Sequence, residues 1–160
     1  MKLADVIAPE GSIPELRASD RDEVVREMVT ALAACLKLAD DVAASVAEAV
    51  IERERQGSTA FGKGVAVPHA KHPAIQQVRG AIARSSRGVD FNSLDREPVH
   101  LIVLVLGSPD CPDEHMDALE RVLRLFREGK FRRFIMQAKY PAEIWSLIVE
   151  VDALLGGESD

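Results

Sequence analysis

The stretch from Pro98 to Leu106 constrains this chain more than any other. It reads Pro98-Val99-His100-Leu101-Ile102-Val103-Leu104-Val105-Leu106, with His100 its lone polar side chain. A strand with one wet face alternates apolar and polar residues, whereas a strand buried on both faces is apolar nearly throughout. This run is of the second kind, and Gly107-Ser108-Pro109-Asp110 ends it. The rest of the chain has to cover such a strand.

The flanking sequence supplies the covers. Val24, Val25, Met28, Leu32, Cys35 and Leu36 recur at helical spacing behind Ser19 or Asp20, either of which can cap, with Glu23 in the first turn. Asp40 or Asp41 caps a second helix with Val42, Val46, Ala49, Val50 and Ile51 inward. That helix runs out through Glu52-Arg53-Glu54-Arg55-Gln56 and stops at Gly57. Short strands are expected near Ser12–Leu16, at Val65–Val67 and at Val78–Arg84, the last with Val78, Gly80, Ile82 and Arg84 on one face. After the apolar strand, Asp113 caps a third helix striped by Met116, Leu119, Leu123 and Phe126 and closed by Gly129. Helices around Phe131–Ala138 and Ala142–Leu155 follow. Helices before, between and after strands make one α/β domain over residues 1–155, with 156–160 a flexible tail.

At 160 residues, the chain is long enough to bury roughly 70% of its unfolded surface. With 20 Lys+Arg against 26 Asp+Glu, the net charge is −6, which disfavours a nucleic-acid or acidic-membrane binder. Cys35 lies in an apolar run and reads as a small buried hydrophobe; Cys111 reads as a loop thiol ahead of a helix. No basic-then-apolar leader and no membrane-length apolar run is present, so the expected location is the cytoplasm.

The chemistry concentrates in Gly57–Ala70. Glycines let backbone N–H groups converge on an anion. Pro68 fixes its own φ and lacks an N–H, so the chain enters His69 stiffly. A rigid imidazole beside a phosphate-sized site suggests a histidine that accepts a phosphoryl group. His115 is its expected partner, because it lies in the first turn of a helix just past the buried strand, where α/β folds gather their sites. An imidazole there can donate to a phosphoryl oxygen, or simply be an exposed helix-start histidine. Arg53 and Arg55 precede the loop, and either can reach the same anion or merely complement the negative end of its helix. His69 and His72 form an H-x-x-H pair, yet they lie between prolines with no suitable third ligand, so no metal is expected. Neither a Walker loop nor a G-x-S-x-G elbow occurs, and no cofactor is expected.

Arg53-Glu54-Arg55-Gln56-Gly57-Ser58-Thr59, followed by Gly62-Lys63-Gly64-Val65-Ala66-Val67-Pro68-His69-Ala70, resembles the signature of the enzyme IIA domains of the bacterial phosphoenolpyruvate-dependent phosphotransferase system. The likeness is to the fructose/mannitol type, the nitrogen-regulatory branch being favoured for a chain with this domain alone. Glu114-His115-Met116-Asp117-Ala118-Leu119 is similar to that family's second histidine motif, and the resemblance runs from the first helix to about residue 153. It implies a three-layer domain, a mixed β-sheet with helices on both faces. It also implies a phosphotransferase component that carries phosphohistidine at His69, with His115 supporting and Arg53 stabilising the phosphoryl group. The implied partners are an HPr-type phosphocarrier upstream and a regulated protein or an enzyme IIB downstream, in nitrogen regulation or sugar transport. A regulator that binds without relaying phosphate is the alternative. Gln56 replaces a commonly apolar residue and Ala70 a frequent glycine; neither touches the imidazole chemistry.

Overall fold

The computed structural model describes the backbone of residues 1–156, so the expected tail lies, from residue 157 on, outside the described residues. Its elements are α1 (Leu3–Val6), a 3-10 turn (Pro9–Gly11), α2 (Arg21–Leu36), α3 (Asp40–Gln56), β1 (Ala60–Gly62), β2 (Val65–Ala66), β3 (His69–Lys71), β4 (Arg79–Val89), β5 (Val99–Gly107), α4 (Pro112–Phe126), α5 (Gly129–Gln137) and α6 (Pro141–Gly156).

The apolar run is β5, and it is paired along both edges. On one edge β4 runs antiparallel to it; on the other β2 and β3 run parallel, with β1 antiparallel to β2. The sheet is therefore mixed. Alternate side chains of β5 enter different cores. Ile102, Leu104 and Leu106 pack with α2 and α3 through Val25, Met28, Leu32, Val46 and Val50. Leu101, Val103 and Val105 pack with α1, α4, α5 and α6 through Leu3, Val122, Phe126, Ile135 and Ile148. Each such fully buried side chain contributes about 1.5–3 kcal/mol relative to exposure, which is why this strand needs a helical layer on each side. The three-layer α/β domain with helices on both faces is as expected.

The outer edge of β4 is covered by the N-terminal segment. Ala8, Ile13 and Leu16 N–H groups donate to the carbonyls of Gly80, Ile82 and Arg84. The strand expected near Ser12–Leu16 is thus only an isolated bridge, Ile13 to Ala83, because Pro9 and Pro14 have no N–H to extend a ladder. Covering this edge removes a template for unwanted strand pairing.

Several helix ends differ from expectation. Asp20 caps α2 by accepting from Glu23 N–H, as anticipated. Asp40 and Asp41, however, lie inside the first turn of α3, whose N-cap is Ala39; their charge favours the helix's positive end without a capping bond. Asp113 likewise lies inside α4, which starts at Pro112 behind Cys111, since proline suits the first helical position. Gly129 opens α5 instead of closing α4. Met116 is 54% exposed, and Ala118 and Val122 take up the buried stripe of α4 in its place. Cys35 is exposed in the last turn of α2, beyond the buried stretch that ends at Ala33.

Candidate active site

The pairing of β2 and β3 with β5 creates the site. Both lie on one edge in one register, with Val65 opposite Leu101, Ala66 opposite Ile102 and His69 opposite Val105. The interruption between them is Val67-Pro68. His69 therefore begins β3, where the sequence suggested it would only follow a strand. The Val67 carbonyl accepts a hydrogen bond from His69 Nδ1 at 2.8 Å. A carbonyl can only accept, so Nδ1 bears the proton and Nε2 is left with its lone pair. Burial lowers the His69 pKa and the Arg53 charge lowers it further, against an upward pull from the Val67 bond. The ring is neutral near pH 7 and nucleophilic at Nε2.

His115 is brought alongside by α4. The two imidazole centroids are 5.7 Å apart and their planes are tilted by 51°. Only 5% of His115 is exposed, and its Nδ1 finds no hydrogen-bond partner among the described residues. That nitrogen lies over Gly107, where a Cβ would come within 2.3 Å of it. Buried N–H groups without partners are rarer than buried acceptors without partners, which favours the tautomer with the proton on Nε2. Burial, then the charges of His69 and Lys71, lowers the His115 pKa to about 4. His115 is thus a neutral donor near a second neutral imidazole. It is not an exposed helix-start residue.

Arg53 completes the group. It donates to the Gly57 carbonyl at 2.8 Å, and its charge is felt at His69. Ala60 pairs with Ala66 and Thr59 Oγ1 accepts from Val67 N–H, so the chain leaving α3 returns to the segment that enters His69. Arg55 is directed elsewhere, to Asp22 at 3.2 Å. His72 is also apart: its Nε2 meets Ser45 Oγ at 3.0 Å and its Nδ1 accepts from Ala74 N–H. Among the described residues no group of three His, Cys, Asp or Glu side chains could hold a metal ion.

The glycine-rich loop requires correction. Lys63 and Gly64 both have positive φ, 60° and 75°, as a two-residue turn between antiparallel strands needs. Gly62-Lys63-Gly64 turns the β1–β2 hairpin beyond Val65, roughly 13 Å along the strand from His69 at about 3.3 Å per residue. These glycines do not cradle an anion at His69. Phe61, on the same hairpin, is half-buried against the α4–α6 core.

Two residues escaped the sequence reading. Gly107 appeared there only as a strand terminator, yet its bare Cα admits the His115 ring. Glu54 is 1% exposed, although it stands in a highly charged run. Its spacing of four from Val50 and eight from Val46 was the available signal, because it places Glu54 on the inward face of α3. Burial raises its pKa, while two hydrogen bonds from Thr59 and the Arg21 and Arg53 charges oppose that rise.

The family profile described as "Phosphoenolpyruvate-dependent sugar phosphotransferase system, EIIA 2" matches residues 6–151. A nitrogen regulatory protein of Bradyrhizobium diazoefficiens is 32% identical over 148 residues, covering 92% of this chain and 95% of the relative. A fructose-specific EIIABC component of Bacillus subtilis is 32% identical over 152 residues, covering 95% of this chain and 24% of that longer protein. Among solved structures, the nitrogen regulatory protein IIA-Ntr from Neisseria meningitidis superposes with a TM-score of 0.82 at 25% identity, covering 91% of this chain and 98% of the other. The family matched over residues 6–151 and the shared fold lead to one assignment: the chain belongs to the EIIA 2 family of the phosphoenolpyruvate-dependent sugar phosphotransferase system and is a phosphotransferase component.

Proposed function

We propose that this chain is a phosphohistidine carrier in which His69 Nε2 accepts a phosphoryl group from an HPr-type phosphocarrier. The phosphoryl group is then relayed, or its presence is signalled to a regulated protein. The observation that carries this reading is the 2.8 Å bond from His69 Nδ1 to the Val67 carbonyl, which commits the Nε2 lone pair to attack. As the Nε2–P bond forms, the bond from phosphorus to the donor breaks with its electron pair returning to the donor, and the proton stays on Nδ1, hydrogen-bonded to the Val67 carbonyl. Phosphoryl transfer depends on alignment and on stabilising the equatorial oxygens. His115 Nε2–H and the Arg53 guanidinium are the donors for those oxygens, and no cofactor is needed.

The nitrogen-regulatory branch is favoured by the near end-to-end match to a protein named for that role. The second reading, a sugar-specific EIIA that passes phosphate to an enzyme IIB, is supported by equal identity to a fructose-specific EIIABC component. Either role suits a cytoplasmic protein; among the described residues no helix is long and apolar enough to cross a membrane.

The test is incubation with phosphoenolpyruvate, enzyme I and HPr, followed by intact-mass measurement. Wild type should gain one phosphoryl group and His69→Ala none. An unmodified wild type would overturn the carrier reading; phosphate persisting on His69→Ala would overturn the residue assignment.

A further inference from the structure

Among the described residues, two buried carboxyl groups, Glu54 and Asp152, lie outside the three residues assigned above. Asp152 is accounted for structurally, because it accepts from the N–H groups of Leu3 and Ala4 and ties α6 to α1. Glu54 is placed differently. Among the described residues its two oxygens accept from Thr59 alone, one from the backbone N–H at 3.2 Å and the other from the hydroxyl. Thr59 Oγ1 in turn accepts from Val67 N–H at 3.2 Å. The Val67 carbonyl receives the His69 Nδ1 proton. Two linked sets of hydrogen bonds thus meet at Val67, one from His69 to its carbonyl and one from its N–H through Thr59 to a buried acid.

The topology explains why Val67 needs this support. Leu101 and Val105 N–H groups donate to the carbonyls of Gly64 and Pro68, so the backbone groups of Val67 face away from β5. On that side β1 begins at Ala60, opposite Ala66, and offers no strand residue opposite Val67. The Thr59 side chain supplies the acceptor that a strand backbone would have provided. Because its single hydroxyl proton is given to Glu54, its lone pair remains turned toward Val67.

We propose that Glu54 and Thr59 are positioning residues that fix the Val67 backbone at its N–H, and so the orientation of the adjoining carbonyl that keeps the proton on His69 Nδ1 and leaves Nε2 free. This inference rests on the proposed role of His69, but its primary readout does not. In Thr59→Val the shape persists while the hydroxyl goes, leaving Val67 N–H and one Glu54 oxygen unpaired. Thr59→Ser keeps the hydroxyl.

The experiment is ¹⁵N NMR of histidine-labelled protein together with quenched-flow phosphorylation by phospho-HPr. Wild type and Thr59→Ser should show His69 as one tautomer, with Nδ1 protonated. Thr59→Val should show averaging of the two tautomers. Phosphoryl uptake should fall about 10- to 100-fold in Thr59→Val, the scale of a misplaced reacting group, and recover in Thr59→Ser. A folded Thr59→Val with the wild-type tautomer and uptake rate would overturn the proposal. Should that variant not fold, Glu54→Met removes both acceptors of Thr59 at similar side-chain volume and should show the same tautomer averaging; its absence there would overturn the proposal equally. If the tautomers respond as expected while wild type takes up no phosphate, the carrier reading fails and the positioning role stands.

Discussion

Gly107→Ala puts the geometry of the histidine pair under direct strain. A Cβ at this position would lie 2.3 Å from His115 Nδ1, 2.7 Å from its Cγ and 2.8 Å from its Cβ. Carbon and nitrogen atoms pack at about 3.5 Å or more, so the imidazole must retreat by roughly 1 Å. The helix carrying it cannot yield freely, because neighbouring Glu114 accepts from Val78 N–H at 2.9 Å. Overpacking of this kind costs about 1–3 kcal/mol, or roughly 2–12 °C in the unfolding midpoint for a domain of this size. A displacement of about 1 Å also lowers a transfer rate by up to about 100-fold. Calorimetry gives the first quantity; quenched-flow return of phosphate from the phosphorylated protein to HPr gives the second. His115→Ala should itself accept phosphate on His69 yet return it slowly. In that background Gly107→Ala should cost less stability, since two of the three clashes leave with the ring. Wild-type stability and return rate in Gly107→Ala, or an equal stability cost in both backgrounds, would refute the placement of His115 over Gly107.

Two further outcomes follow from the site. The His115 pKa is lowered from 6.5 to about 4 on folding, so between those values the unfolded chain binds more protons. The associated stability is complete above about pH 6.5 and drains away as pH falls toward 4 and below. His69 is shifted in the same direction. Urea unfolding of wild type and His115→Gln across this window should give a shallower acid limb for the variant, and matching limbs would contradict the shift. Gly64→Ala places an alanine at a φ of 75° in the hairpin turn, with no neighbouring atom nearer than 3.7 Å. It should cost about 1–2 kcal/mol of stability and leave phosphorylation of His69 untouched. A defect in phosphoryl uptake at wild-type stability would restore the turn to the site.

Legibility from sequence depended on whether a feature is written in local pattern. Val24, Met28 and Leu32 announced α2 because burial on a helix has a short period, and the structure chose Asp20 over Ser19 as its cap. The β5 run announced its own two-sided burial. His69 stood out through Pro68, a purely local constraint. The α3 and α4 caps were misplaced because aspartates favour a first turn as well as a cap, and local sequence does not separate the two. The Gly62-Lys63-Gly64 turn was misread because glycines that enable a tight hairpin look the same as glycines that enclose an anion.

By itself, then, the sequence determined the α/β class, the central buried strand and a stiffly held histidine, since each follows from residues within one or two turns of one another. Tertiary structure alone decided that Arg53 and not Arg55 faces that histidine, and that His115 settles over Gly107. It also decided that Thr59, itself held by buried Glu54, accepts from the Val67 N–H. These pairings join residues on different elements through the register of β2 and β3 on β5, and register is a property of the assembled sheet.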